Sequence, residues 1–411
     1  MLIHALQSIK SKLHSVLNIS DRRAKIQDSD FVLGVILAVA SAKENFSLGD
    51  LRRATCNFLG INIGRSAFNE RIGTASLVQH LQSVFSVIIN RELEKYKKDA
   101  PTEKLLKKLG VSQIIAIDSS MTTLWDGLSK HFKGTFMTAS VKLHLAIDLV
   151  TGGVISFSMT DGATHDSKRF PEPLTSILYI FDLGYWATER FGKIAENKAF
   201  FLSRVKANAK LIVTETISGF GNSIIGHDLL SYPILRKRKS VVELYAEMTI
   251  GAENVSFRVI GFWHNKTKSY RWYLTNLKSP RGMIYDLYRL RWQIELSFKA
   301  MKSTLNFDRM PTTNPNAVKS FVLIALINYV FVTILRAEAK ATCEKKTTSI
   351  QRAAKTFNVI VRELFQAMKM GRRFTAAIKE KLAEKILSAV REIFDPNHRK
   401  RKTTMGRLLQ R

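Results

Sequence analysis

The chain has 411 residues, 45% hydrophobic and 24% charged, an ordinary globular balance that excludes a wholly disordered protein. Sixty-four Lys and Arg face only 34 Asp and Glu, and a formal charge of +30 repels itself in a compact fold, so an acidic partner is expected. The basic residues are spread along the chain, which favours a long phosphate backbone over a membrane surface touched by one segment. A merely basic or ribosome-associated protein is the other reading that charge allows.

Two cysteines, Cys56 and Cys343, are too few for a disulfide framework or a cysteine-based zinc site, which fits a reducing compartment. The N-terminal sequence has neither the apolar core nor the small-residue cleavage site of a signal peptide. The most apolar run, Phe321 to Leu335, is shorter than the ~20 residues a membrane span needs and carries Asn328. It reads as a buried helix of a soluble protein.

In chain order, residues 1–110 read as helical. Ser29 is placed to cap a helix over Phe31 to Ala40. Ser47 and Asp50 have the spacing of a capping box, Gly60 ends the helix they open, and Ser66 can cap the next. Two short helices joined by a glycine turn, with Arg52, Arg53, Arg65 and Arg71, suggest a helix-turn-helix-like DNA reader. A plain helical bundle with a solvated basic face fits the same residues. The stretch RELEKYKKDAPTEKLLKK is polar and interrupted by Pro101, and reads as a linker.

The pattern changes at Val111. VSQIIAIDSS is a short apolar run typical of a buried strand, and TASVKLHLAIDLVTGGVISFSMT reads as two strands joined at Asp148 to Gly153. A loop with His165 and Asp166 follows, then the strand SILYIFDLGYW, a helix over ATERFGKIAENK and a strand over FFLSRVKANAK. This is an α/β arrangement around a mixed sheet. Residues 209–278 hold four β-rich segments with little helical signal and read as an inserted β subdomain. From Pro280 the chain is helical, and it finishes in HRKRKTTMGRLLQR, which reads as a mobile basic tail.

Asp118 closes IIAID and Asp182 closes ILYIFD. A carboxylate at the end of a buried strand lies at the sheet edge, where active sites of α/β folds collect. Two carboxylates there repel unless a cation lies between them, and hard Mg²⁺ or Mn²⁺ suits oxygen ligands. Asp can equally end a strand by starting a turn, which fully accounts for Asp148 before TGG. His165 and Asp166 read as loop hydrogen-bonding residues and not as metal ligands.

YDLYRLRWQIELSFKAMKS is the most informative segment. With Tyr288 at zero on a helix, Arg291, Glu295 and Lys302 fall at about 300°, 340° and 320°. Ile294, Phe298, Met301 and Leu305 fall beside that stripe and can bury against the sheet. Glu295 can then complete a metal site with the two aspartates, while Arg291 and Lys302 can bind phosphate oxygens. The other reading is a solvated charged face in which Arg291 and Glu295 pair at i,i+4.

The spacing Y-x2-R-x3-E-x6-K, met by Tyr288, Arg291, Glu295 and Lys302, resembles the signature of IS4-family insertion-sequence transposases, the family that includes the Tn5 transposase. Asp118 after a strand and Asp182 in DLGYW are similar to the surroundings of that family's two aspartates. The resemblance covers roughly Val111 to Leu335. It implies an RNase H-like catalytic domain, here 111–208 and 279–340, with an inserted β subdomain over 209–278. A helical DNA-binding region over 1–110 and a helical basic region over 341–411 flank it.

It further implies that Asp118, Asp182 and Glu295 are catalytic and hold Mg²⁺ or Mn²⁺, two ions in all. Tyr288, Arg291 and Lys302 would bind DNA phosphates near a flipped base. An aromatic of the inserted strands would stack on that base. Trp272 in YRWYLTNL is the nearest candidate, with a core tryptophan as the other reading. The implied partners are double-stranded DNA, as transposon ends and target, and a second copy on DNA. No membrane and no small-molecule cofactor are expected, and a bacterial cytoplasm is the expected location. The implied reaction is cleavage at transposon ends and transfer of the 3′-OH into target DNA, with or without a hairpin intermediate. An inactive DNA-binding regulator derived from such an element and a metal-dependent nuclease are the alternatives.

Overall fold

In a computed structural model the chain is described over residues 26–42, 46–86, 100–234, 236–342, 347–369, 376–394 and 403–410. The N-terminal part folds as helices α1 (Asp28–Ser41), α2 (Leu48–Leu59), α3 (Arg65–Ile72), α4 (Ala75–Val84) and α5 (Ala100–Leu109). The Ser47/Asp50 capping box forms, and Gly60 ends α2 at φ 70°, a left-handed conformation that glycine adopts without a Cβ penalty.

Two expected caps do not form. Helix α1 starts at Asp28 after Gln27, which leaves Ser29 buried inside it, and α3 starts at Arg65 after Gly64. The expected linker is helical from Ala100, with Pro101 in the first turn, where its missing N–H costs nothing. The rest of that segment, residues 91–99, lies outside the described residues.

Strands β1 (Gln113–Thr123), β2 (Ser140–Asp148), β3 (Val154–Asp161), β4 (Ile177–Phe181) and β5 (Phe200–Arg204) follow, with α6 (Thr188–Glu196) between the last two. The β-rich run gives β6 (Ile212–Ser218), β7 (Val241–Ile250), β8 (Glu253–His264) and β9 (Ser269–Thr275). All nine form one sheet in the order β3-β2-β1-β4-β5-β9-β8-β7-β6. β1 runs parallel to β4 and β4 to β5, whereas β1–β2, β2–β3 and β5–β9 are antiparallel. The β2–β3 turn is held as expected: Gly152 N–H donates to Asp148 O at 2.7 Å, and Val150 N–H to Asp148 Oδ1 at 2.9 Å.

Alternation along the strands divides the core between two faces. Ile114, Ala116, Leu178 and Ile180 pack toward the larger helical layer, and Ile115, Ile117, Tyr179 and Phe181 toward α6. The larger layer contains α7 (Arg281–Leu290), α8 (Trp292–Thr304) and α9 (Pro315–Thr342). Helix α9 is long and apolar enough to cross a membrane, but 94% of its apolar stretch is buried inside the protein, as the run around Asn328 suggests. The Asn328 amide donates to Ile36 O at 3.0 Å and ties α1 to it.

Helices α10 (Ile350–Lys369), α11 (Ala376–Arg391) and α12 (Thr404–Leu409) complete the described chain. The end of the expected mobile tail is therefore packed: Leu408 is buried, and Arg407 pairs with Asp286 of α7 at 3.1 Å.

Candidate active site

The last register pair between parallel β1 and β4 is Ile117 with Phe181, so Asp118 and Asp182 stand side by side one residue further on. β4 ends there because Asp182 caps a 3-10 turn, Leu183–Tyr185, accepting from Leu183 N–H at 2.8 Å. β1 continues past Asp118 because β2 still pairs with it, Asp118 lying opposite Leu145. Asp118 is thus mid-strand, at the point where its parallel neighbour stops. Its Oδ1 accepts from Ser119 N–H at 2.8 Å.

The segment carrying the four spaced residues is two helices, not one. A turn at Arg291 separates α7 from α8, although Arg291 itself keeps right-handed helical angles of φ −50° and ψ −33°. The approach to α7 is fixed from the sheet. Buried Arg258 of β8 donates to Leu277 O at 2.9 Å and Ser279 O at 2.7 Å, and pairs with Glu243 at 2.7 Å. Ser297 of α8 bonds Tyr329 of α9 at 3.0 Å, and Tyr329 donates to Gly152 O at 3.0 Å.

These anchors aim all four side chains at the strand ends. Tyr288 OH donates to Asp182 Oδ1 at 3.2 Å, and Arg291 Nη1 to Asp118 Oδ2 at 3.0 Å. Arg291 Nη2 also pairs with Glu295, and Lys302 Nζ donates to Met121 O of β1 at 2.6 Å. The i,i+4 pair anticipated as a surface feature does form, but it is largely buried and shares its arginine with Asp118.

The electrostatics follow from that crowding. Burial pushes the Asp118 carboxyl up to about 6; Arg291 and the Ser119 N–H oppose the rise, and Asp182 and Glu295 add to it. Burial disfavours a charged Arg291, but Tyr288, Asp118, Asp182 and Glu295 together outweigh it and hold the guanidinium more basic than usual. Burial, then Asp182, raises the Tyr288 phenol, which stays a hydrogen-bond donor. Burial makes Lys302 less basic than usual, with Asp308 opposing.

Among the described residues no three acidic, histidine or cysteine side chains are close enough to hold a metal ion as they stand. The Arg291 guanidinium lies between Asp118 and Glu295 and bonds both. Its Nε is buried without a hydrogen-bond partner, so the carboxylates hold the guanidinium while its own pocket does not fully satisfy it. An all-oxygen donor set in which Asp182 and Glu295 help raise the Asp118 carboxyl fits a hard divalent ion once that side chain moves.

A cavity of about 360 Å³ adjoins the site, lined by Arg204, Arg271, Tyr273, Tyr288, Arg291 and Trp292 among others. Trp272 does not line it. Successive residues of a strand face opposite ways, and the Trp272 ring packs over Gly261 between Phe220 and Tyr270, on the far side of the sheet. Trp272 is half-buried there, packed against the smaller core cluster. The aromatic of β9 that reaches the site is Tyr273, with its ring 5.0 Å from Tyr288.

Arg204, Arg271 and Trp292 also line the cavity and belong to none of the motifs read from the sequence. Arg204 ends β5, the same strand-end placement that singled out the aspartates, and Arg271 shares the Tyr273 face. Of the N-terminal arginines, Arg52 donates to Ile63 O at 2.7 Å and Arg71 pairs with Asp28, both serving the fold. Arg65 is exposed, and Arg53, paired with Asp50, still has 63% of its side chain in solvent. Asp166 pairs with Lys142, and His165 bonds Ser167 at 2.8 Å, as loop residues.

Comparison with known proteins agrees with this geometry. The family described as Transposase DDE domain matches residues 109–331, just over half of the chain. The transposase for insertion sequence element IS231F of Bacillus thuringiensis subsp. israelensis is 22% identical, over 65% of this chain and 65% of its own. That for IS231D of B. thuringiensis subsp. finitimus is 23% identical over 73% and 71%, and that for IS1151 of Clostridium perfringens 24% over 52% and 56%. The chain thus spans less than two thirds of the length of several relatives, IS231F and IS1151 included. With the matched segment running from before β1 into α9 and enclosing both aspartates and the whole Tyr288–Lys302 signature, this chain belongs to the DDE transposase family, of the IS4 insertion-sequence type.

Proposed function

We propose that the chain is a DNA transposase that hydrolyses phosphodiesters at its element's ends and transfers the freed 3′-OH into target DNA. The observation that carries this reading is the meeting of Asp118, Asp182, Glu295, Tyr288 and Arg291 where β4 ends beside the middle of β1. An RNase H-like core over 111–208 and 279–340 is supported by the order β3-β2-β1-β4-β5 with its parallel β1-β4-β5 half. Residues 209–278 would then be the insertion, extending the same sheet through β9.

Asp118, Asp182 and Glu295 would hold Mg²⁺ or Mn²⁺, two ions in all. Bound there, the ions would supply Lewis acidity to make a water nucleophilic and to stabilise the leaving oxygen. Arg291 holds the carboxylates together until then and, released, offers two N–H donors to a phosphate. Tyr288 orients Asp182 through its hydroxyl. Lys302, bonded among the described residues to the Met121 carbonyl, can exchange that bond for a phosphate oxygen.

The basic, aromatic cavity would take the DNA end, with Tyr273 and Trp292 available for stacking. Arg53 and Arg65 would face DNA from the N-terminal helices. Because two ends must be processed together, a dimer assembled on DNA is part of the reading, and a hairpin is one route by which the 3′-OH can attack. The test is incubation with DNA carrying the element's own ends and Mg²⁺. Cutting and joining that Glu295→Ala abolishes, with DNA binding retained, support it. Cutting without joining would indicate a nuclease, and binding without cutting a regulator.

A further inference from the structure

A fourth carboxylate touches both chain segments that carry the paired aspartates. Asp166 opens the short 3-10 turn Asp166–Arg169 after β3. Its Oδ1 accepts from Ser119 Oγ at 2.9 Å and from Lys142 Nζ at 3.2 Å. Ser119 is the residue whose backbone N–H holds Asp118. On the other side, Asp166 Oδ2 lies against Gly184 of the Asp182 turn, so closely that a Cβ there would sit 2.9 Å from it. Gly184 has no positive φ, so this close approach is what a side chain there would have to displace.

Lys142 is fixed in turn by Thr164 O at 2.7 Å. His144, on the same strand, lies 3.9 Å from Asp166 and bonds Tyr185 OH at 3.1 Å and Thr160 Oγ1 at 3.0 Å. Burial holds His144 down at about 4 against the pull of Asp166, so near neutral pH Lys142 supplies the positive charge. The Asp166 brace is therefore tied to β1, to β2 and to the loop after β4.

We propose that Asp166 is a positioning residue that sets the spacing of Asp118 and Asp182, acting through Ser119 on one side and Gly184 on the other. The inference rests on reading those two aspartates as metal-holding. Groups that orient metal ligands from behind commonly change metal affinity by about 10- to 100-fold when removed.

The experiment is Mn²⁺ binding to the full chain, followed by the electron paramagnetic resonance signal of free Mn²⁺. Asp166→Ala is expected to weaken binding about 10-fold and to lower kcat for DNA cleavage while DNA affinity stays unchanged. The pair Lys142→Met with Asp166→Ala should remain as weak. Recovery of wild-type affinity in that pair would mean that Asp166 only neutralises Lys142, and would overturn the proposal. Wild-type affinity in Asp166→Ala alone would also overturn it. Should Asp166→Ala fail to fold, Asp166→Asn keeps an acceptor for Ser119 and is expected to lose less than about threefold; a loss as deep as that of Asp118→Ala would contradict positioning. Where wild type binds no Mn²⁺, or Asp118→Ala binds as wild type does, the triad reading itself fails and takes this inference with it.

Discussion

Arg291 and Asp118 lie 173 residues apart in sequence and meet at 3.0 Å, with the same guanidinium also held by Glu295. One side chain thus joins the sheet to the helix that packs on it and neutralises two carboxylates that would otherwise repel. Before any metal binds, the positive charge between Asp118 and Glu295 belongs to the protein.

Removing it should therefore destabilise the metal-free protein. Arg291→Gln is expected to lower unfolding stability in EDTA by about 3 kcal/mol, the range found when a buried pair loses one partner. Saturating Mn²⁺ should restore more stability to the variant than to wild type, because the ion replaces the missing cation. Urea unfolding with and without Mn²⁺ checks this. Equal stability of the two proteins in EDTA would mean that the pairing contributes nothing.

The Asp118 carboxyl gives a pH dependence with a definite sign. Its folded value of about 6 lies above the ordinary 3.8, so between those two values the folded protein binds more protons than the unfolded chain. Asp118 therefore contributes stability that is fully present below about pH 4 and is lost as pH rises to about 6, at most about 3 kcal/mol in all. In metal-free buffer, Asp118→Asn should remove that downward slope. Metal affinity should show the opposite trend, rising through pH 6 as the carboxylate ionises. A wild-type slope between pH 4 and 6 no different from that of Asp118→Asn would refute the raised value.

Trp272 and Tyr273 are adjacent on β9 but face opposite sides of the sheet, and their variants should separate accordingly. Trp272→Ala should lower stability by about 2 kcal/mol, less than for a fully buried tryptophan, and leave DNA-end cleavage per folded molecule unchanged. Tyr273→Ala should impair cleavage more than about 10-fold, on the scale of one lost base-stacking contact. Melting curves and single-turnover cleavage distinguish them, and a reversed pattern would place the wrong residue in the cavity.

That pair also shows what the sequence made legible. The strand end at Asp182 and the spacing of Tyr288, Arg291, Glu295 and Lys302 could be read because each depends on local periodicity, whereas β1 runs on past Asp118 because β2 still pairs with it. The Ser47 capping box is equally local. Strand parity is not: a one-residue error turns a side chain to the other face, and only the sheet says which of Trp272 and Tyr273 is inside. The turn at Arg291 interrupts a run of good helix formers and left no local mark. Arg204 and Arg271 come from β5 and β9, which meet only because β9 closes against β5 in the folded sheet. The α12 contact of Arg407 with Asp286 spans 121 residues and is invisible to any local pattern.

The triad is tested by comparing wild type with Glu295→Gln on DNA carrying the element's own ends in Mg²⁺, following cut and joined strands together. Wild type is expected to cut and join, and the variant to bind the same DNA with both reactions reduced by at least about 1,000-fold, the scale of losing an essential catalytic group. Cleavage and joining at wild-type rates by Glu295→Gln would contradict the triad, because the third carboxylate would then have no part in the chemistry.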